Sequence, residues 1–138
     1  MSQTNENLRS ELTNESQANM RYIMFSEVAK REGYCELASR FRRTAEEETK
    51  HARALFEMLY PQIFAKDALK MALEIETLET RIYSEYTVTG EKEGKVADAS
   101  ELKRLLNEAK KHFEEFAAAE KEHADATKKG LELLFPGV

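Results

Sequence analysis

Apolar residues recur along most of this chain at intervals of three and four, the spacing that lines up one face of an α-helix. Leu8, Leu12, Glu15, Asn19, Tyr22, Ser26 and Ala29 form the first such stripe. The second runs through Ala38, Phe41, Ala45, Glu48, Ala52, Leu55 and Leu59, and the third through Leu69, Leu73, Glu76, Thr80 and Tyr83. The fourth takes in Leu102, Leu106, Ala109, Phe113, Ala117, Glu120, Ala124 and Leu131. Gly33, Pro61, Gly90, Gly94, Gly130 and Pro136 read as breakers around these segments. The pattern predicts an all-α fold of four helices over about 5-31, 35-59, 68-89 and 99-134. Asp67 is placed to cap the third, and the fourth is expected to open near Asp98 or Ser100.

Each stripe is interrupted by one glutamate near its middle: Glu15, Glu48, Glu76 and Glu120. A carboxylate on a packed face is costly unless it is paired or binds a cation. The interruptions also repeat between the two halves of the chain. Glu15 stands ahead of Tyr22 and Gly33 by the same intervals that separate Glu76 from Tyr83 and Gly94. Glu48-Thr-Lys-His51 recurs as Glu120-Lys-Glu-His123. The second half is longer between its Gly and its second Glu, which could reflect added helical turns or a longer loop.

Glu-x-x-His places a carboxylate and an imidazole side by side on one helix face, where both can reach a common metal ion. Two such pairs, plus one glutamate from each remaining helix, give four carboxylates and two imidazoles. That donor set suits a pair of iron or manganese ions, and it is the arrangement found in ferritin-like four-helix bundles. Glu46, Glu47 and Glu122 lack the combination of stripe position and histidine spacing and read as solvated, as does His112. Tyr22 and Tyr83 are either buried aromatic core or hydrogen-bond partners of a ligand carboxylate. Glu79, one turn beyond Glu76, has no acidic counterpart, because Ala18 holds the equivalent place. It is either a boundary acid or an additional ligand.

Size and charge narrow the remaining classes. A chain of 138 residues is one domain by length, 1-138. Its net charge of −5 provides no basic surface for nucleic acid. No apolar run approaches the ~20 residues that span a bilayer, and the polar start MSQTNENLR does not read as a signal peptide, so a cytoplasmic location is expected. The one cysteine, Cys35, is expected to be a small, half-buried residue near a turn.

At NESQANMRY (14–22), EGYCELASRF (32–41) and AEEETKHA (45–52) the chain resembles the di-iron domain of the rubrerythrin family. The likeness spans nearly the whole length and is stronger in the first half. By position it implies Glu15, Glu48, His51, Glu76, Glu120 and His123 as ligands of two iron ions, with manganese as an alternative metal. It further implies Glu79 as an extra carboxylate that exchanges with a histidine during redox change, and Tyr22, Tyr83 and Glu79 as catalytic participants. With no paired CxxC motifs, the sequence is similar to the short, erythrin-type relatives. The implied activity is peroxidase reduction of hydrogen peroxide to water, with electrons from an external donor such as a rubredoxin. Oxidation of ferrous iron by oxygen, as in iron-handling ferritin-like proteins, and a dimanganese catalase-like activity are the competing readings.

One distance bears on the assembly. A ferritin-like bundle needs a long crossover between its second and third helices. If these end near Tyr60 and start near Ala68, the crossover must span roughly 27 Å, whereas seven extended residues reach only about 25 Å. The expectation is a domain-swapped homodimer, with Glu15, Glu48 and His51 from one subunit meeting Glu76, Glu120 and His123 from the other.

Overall fold

The computed structural model describes residues 2–96 and 100–137. These residues form four helices: α1 (Gln3–Arg31), α2 (Cys35–Leu59), α3 (Ala65–Val96) and α4 (Ser100–Leu134). The fold is all-α, the helix complement of a ferritin-like four-helix bundle. Two compact units divide the chain, Met1–Gln62 and Ile63–Val138. In the first α1 packs on α2, and in the second α3 packs on α4. Among the described residues no helix is long and apolar enough to cross a membrane.

Local chemistry sets the ends of the first hairpin. Ser2 caps α1 by accepting a hydrogen bond from the Asn5 amide at 3.3 Å. Glu6 in the first turn and Lys30 and Arg31 in the last complement the helix dipole. Gly33, at φ +88°, closes the helix in the left-handed region that favours glycine. There the Gly33 and Tyr34 amides donate to the Lys30 and Ala29 carbonyls at 3.1 and 2.8 Å. Cys35 then opens α2 and is exposed, not half-buried as expected, because it sits on the first turn beyond the helix contact.

Small residues let the paired helices approach closely. Ala29, Ala38 and Ala45 are the buried apolar positions of the first hairpin, with Ala45 only 2% exposed. Two polar side chains of α1 fasten that contact. Asn19 donates to the Ala45 carbonyl and to Thr49 Oγ1, both at 2.7 Å, and the buried Ser26 hydroxyl donates to the Ala38 carbonyl at 2.9 Å. In the second hairpin Thr80 and Thr87 occupy the corresponding places, and their hydroxyls bond back along α3 to the Glu76 and Tyr83 carbonyls. There the close approach is made by Gly90 and Gly94, both buried. A methyl group on Gly94 would stand 3.3 Å from Asn107 Oδ1, and one on Gly90 would stand 3.5 Å from Lys110 Cβ.

Several boundaries differ from the periodicity reading. Gly90, Gly94 and Gly130 lie inside helices and do not break them, so α3 runs to Val96 and not to residue 89. Helix packing at Gly90 and Gly94 outweighs their weak helix propensity. At its other end α3 begins at Ala65, so Asp67 lies inside the first turn. Its carboxylate still accepts from the Phe64 amide at 3.2 Å. Asp98, one of the two expected starts of the fourth helix, and residue 99 lie outside the described residues. Leu102 is 48% exposed, outside the packed stripe. The extra length of the second half is helical extension on both arms. From Glu76 the helix α3 continues to Val96, about one turn further than α1 continues from Glu15 to Arg31. Ahead of Glu120 the helix α4 opens at Ser100, about two turns earlier than α2 opens at Cys35 ahead of Glu48.

Enlarging the tightest point of the first hairpin should force the helices apart. Ala45→Leu is expected to destabilise the metal-free protein by about 1–3 kcal/mol, the usual cost of overpacking. Urea denaturation followed by circular dichroism measures it; an unchanged midpoint would show that Ala45 does not set the α1–α2 spacing.

Candidate metal centre

Each hairpin brings one glutamate from its first helix against the Glu-x-x-His pair of its second. On α2, His51 Nδ1 lies 3.1 Å from Glu48 Oε2 and 3.6 Å from Glu15 Oε2 of α1. On α4, His123 Nδ1 lies 3.0 Å from Glu120 Oε2 and 3.3 Å from Glu76 Oε2 of α3. The two triads match in exposure as well as spacing. Glu15 and Glu76 are both 24% exposed, Glu48 and Glu120 are 18% and 19%, and the imidazoles are 57% and 60%. In each triad one oxygen from each carboxylate and one ring nitrogen lie within 4.8 Å of one another, so each could hold a metal ion. Nδ1 is the nitrogen turned toward the carboxylates.

An atom left unpartnered tests the fit. Glu76 Oε2 is buried and accepts no hydrogen bond, although His123 Nδ1 stands 3.3 Å away, because that ring atom is directed at Glu120. A buried carboxylate oxygen without a partner carries an uncompensated desolvation cost, which a cation among the three donors removes. Two hard carboxylates and one imidazole suit iron or manganese better than a soft metal.

Proton affinities reflect the crowding. Hydrogen bonding to Glu48, then burial and the repulsion of that carboxylate, raises Glu15; Glu120 and burial raise Glu76 in the same order of causes. The same bonds lower Glu48 and Glu120. Each pair therefore retains a proton more readily than two separate carboxylates would. His51 and His123 are raised, first by hydrogen bonds to Glu48 and Glu120.

Around each triad the repeat extends to the aromatic residues. Tyr22 packs on Phe41 at 6.1 Å between ring centroids, and Tyr83 on Phe113 at the same distance. Phe25 and Tyr86 complete the two clusters at 5.7 and 5.2 Å from those phenylalanines. Burial raises the Tyr83 phenol, and the negative charges of Glu79 and Glu120 raise it further, so it stays protonated at neutral pH. Glu79 is half-buried on α3 and stands outside the three-residue cluster of Glu76, Glu120 and His123. Glu46, Glu47, Glu122 and His112 are exposed, and His112 pairs with Glu115 at 3.5 Å.

Asn19 ties the turn of α2 next to Glu48 to the turn of α1 next to Glu15, yet it is legible in the sequence only as a stripe position. A polar amide on an otherwise packed face is the signal that could have marked it. The equivalence of Phe25 and Tyr86 is legible as well, since Phe25 follows Glu15 at the same interval as Tyr86 follows Glu76.

Removing protons from these groups is the cost of loading metal. The raised histidines stabilise the metal-free protein fully below the usual histidine pKa, and that contribution is lost as pH rises through their folded-state values. Metal affinity runs the other way, because ligands must be deprotonated. The melting-temperature gap between manganese-loaded and metal-free protein should therefore widen from about pH 6 to about pH 8. Scanning calorimetry at several pH values measures it; a constant gap would mean that these histidines do not compete with the metal for protons.

Comparison with known proteins identifies the family. Residues 6–64 match the sequence profile of the Rubrerythrin family. Over 133 residues the chain is 32% identical to Rubrerythrin-1 of Clostridium acetobutylicum, covering 83% of this chain and 68% of that protein. It is 32% identical over 138 residues to a putative rubrerythrin of Methanocaldococcus jannaschii, covering 83% and 67%. A shorter stretch of 58 residues is 45% identical to rubrerythrin of Porphyromonas gingivalis, covering 42% of this chain and 29% of that one. The chain thus spans about two thirds of the length of its two longer matches. With 32% identity over 83% of its length to relatives of which it covers two thirds or more, the chain belongs to the rubrerythrin family.

Proposed function

We propose that the two triads together hold a pair of iron ions and that the protein is an oxidoreductase reducing hydrogen peroxide to water. The observation that carries this reading is the duplication of one Glu, Glu-x-x-His triad in closely matching geometry on both hairpins. A single triad could be a chance meeting of acids in a Glu-rich chain; two, with the same nitrogen turned inward, form a set built for two ions. Glu15, Glu48 and His51 supply the donors on one side, and Glu76, Glu120 and His123 those on the other.

Held by these six residues, a pair of ferrous ions would supply the redox capacity, one electron each. Each peroxide takes up two electrons and two protons; its O–O bond breaks and two waters leave. The electrons are restored by an external one-electron donor protein of the rubredoxin type. The role of the chain is to fix the charge and to hold protons near the reaction. Four carboxylates balance two divalent ions, and the Glu79 carboxylate adds negative charge on the α3 side, favouring the oxidised pair. The Tyr83 phenol, kept protonated beside Glu79 and Glu120, is a hydrogen-bond donor at the edge of the site.

Loading the protein anaerobically with ferrous iron should give two ions for each complete set of six ligands. Stopped-flow absorbance should then show faster oxidation by hydrogen peroxide than by oxygen; the reverse order would replace the peroxidase with a ferroxidase. Glu48→Ala and His123→Ala should each lose at least one ion and lower peroxide turnover more than about 100-fold. Full iron occupancy in either variant would refute the ligand assignment.

A further inference from the structure

Asn19 does more than the packing of α1 on α2 requires. It stands one turn beyond Glu15 on α1, and its amide reaches the single turn of α2 that leads into Glu48. The amide nitrogen donates to the Ala45 carbonyl and to Thr49 Oγ1, both at 2.7 Å, and the Thr49 hydroxyl donates to the same carbonyl at 3.1 Å. The three groups close a ring in which each is held by the other two. Because a carbonyl only accepts, the nitrogen of the Asn19 amide must be the end that faces α2.

Apolar contact and a directed hydrogen bond constrain a helix pair differently. The buried Ala29, Ala38 and Ala45 set how closely α1 and α2 lie, but such contact is non-directional and resists sliding only weakly. Hydrogen bonds weaken steeply as their angles open, so the ring around Asn19 sets the axial register of the two helices. That register fixes the separation of the Glu15 and Glu48 carboxylates, whose repulsion a small slide would otherwise relieve. Joining the helices does not need a bond at this level. Ser26, two turns further along α1, already reaches the Ala38 carbonyl at 2.9 Å.

The second hairpin is built otherwise. Thr80 holds the place of Asn19, and Lys121 that of Thr49. The Thr80 hydroxyl turns back to the Glu76 carbonyl at 2.8 Å, and Lys121 is exposed. Rings span the helices there instead. Tyr83 lies 6.1 Å from Phe113 and 5.4 Å from Phe116 of α4, whereas Thr44 stands where the first hairpin would carry the second phenylalanine.

We infer that Asn19 and Thr49 are positioning residues for the first triad. They hold Glu15 and Glu48 at ligand spacing in the metal-free protein, so that a divalent cation meets donors already in place. The inference rests on the reading of Glu15, Glu48 and His51 as metal donors, and it concerns the first hairpin alone. Neither Asn19 nor Thr49 belongs to the triad. Their contribution is an ordering cost that the cation no longer meets on binding.

The chain has three histidines, so isotope labelling of the rings gives one magnetic-resonance reporter for each triad and a control in His112. Zinc(II), a diamagnetic ion that takes carboxylate and imidazole donors, is titrated into the metal-free protein while the shift of each Nδ1 on coordination is followed. Asn19→Leu keeps the bulk of the side chain without its donors. In this variant half-saturation at His51 should need about 10-fold more zinc than in wild type, the scale of loss expected for outer partners of metal ligands. Half-saturation at His123 should move far less. Thr49→Val should act in the same direction, and Thr49→Ser, which keeps the hydroxyl, should behave as wild type. Thr49 is exposed, so its two variants decide the matter if Asn19→Leu folds poorly. Curves that coincide at His51 in wild type and variants, or that shift equally at His51 and His123, would overturn the positioning role and leave the triad a metal site. No shift at His51 in wild type would overturn the triad reading itself, and this inference with it.

Discussion

Carboxylates placed against one another on a packed helix face constrain everything else in this molecule. Glu15 meets Glu48, and Glu76 meets Glu120, at positions where the helix stripe otherwise carries alanine, leucine and aromatic residues. Neither pair can be fully charged without a proton or a cation to share. The histidines three residues on, the hydrogen bond of Asn19 across to α2, and the small residues that bring the helices close all serve to hold the pairs at that spacing. The repulsion is built into every helix of the chain, and a metal ion among the donors would relieve it.

Much of this is legible in the chain before any coordinates. The stripe positions from Leu8 to Leu59 are all packed or half-buried, because a helix period in long segments with few glycines and prolines leaves little freedom of phase. The triads are legible for the same reason: i, i+3 spacing decides which side chains share a face. Boundaries are harder. Gly90 and Gly94 read as stops because glycine is a poor helix former, whereas each is used for close approach to α4, a tertiary reason that no local rule contains. The position of Cys35 depends on how soon α2 begins after Gly33, one residue in either direction changing its exposure.

The two hairpins solve one problem with different polar chemistry. In the first, Asn19 and Ser26 reach across to carbonyls of α2; in the second, Thr80 and Thr87 turn back onto their own helix, and glycines supply the closeness. The triads are nonetheless closely matched in distance and exposure. The geometry of the triads is thus held alike in the two hairpins, while the means of gluing helix to helix differs between them. The same contrast separates Glu79 from Ala18: the second hairpin carries one more acid beside its triad than the first, so the two triads differ in local charge.

Because each triad lies wholly within one hairpin, its charges come within reach of one another as soon as two neighbouring helices zip together. Hairpin closure is local and fast compared with the docking of separate halves. The repulsion must therefore be met at that early stage, by a retained proton or by a captured cation. The order of events follows: hairpin closure, then neutralisation. In the absence of a cation, each hairpin would keep its shared proton as the means of tolerating its own paired carboxylates.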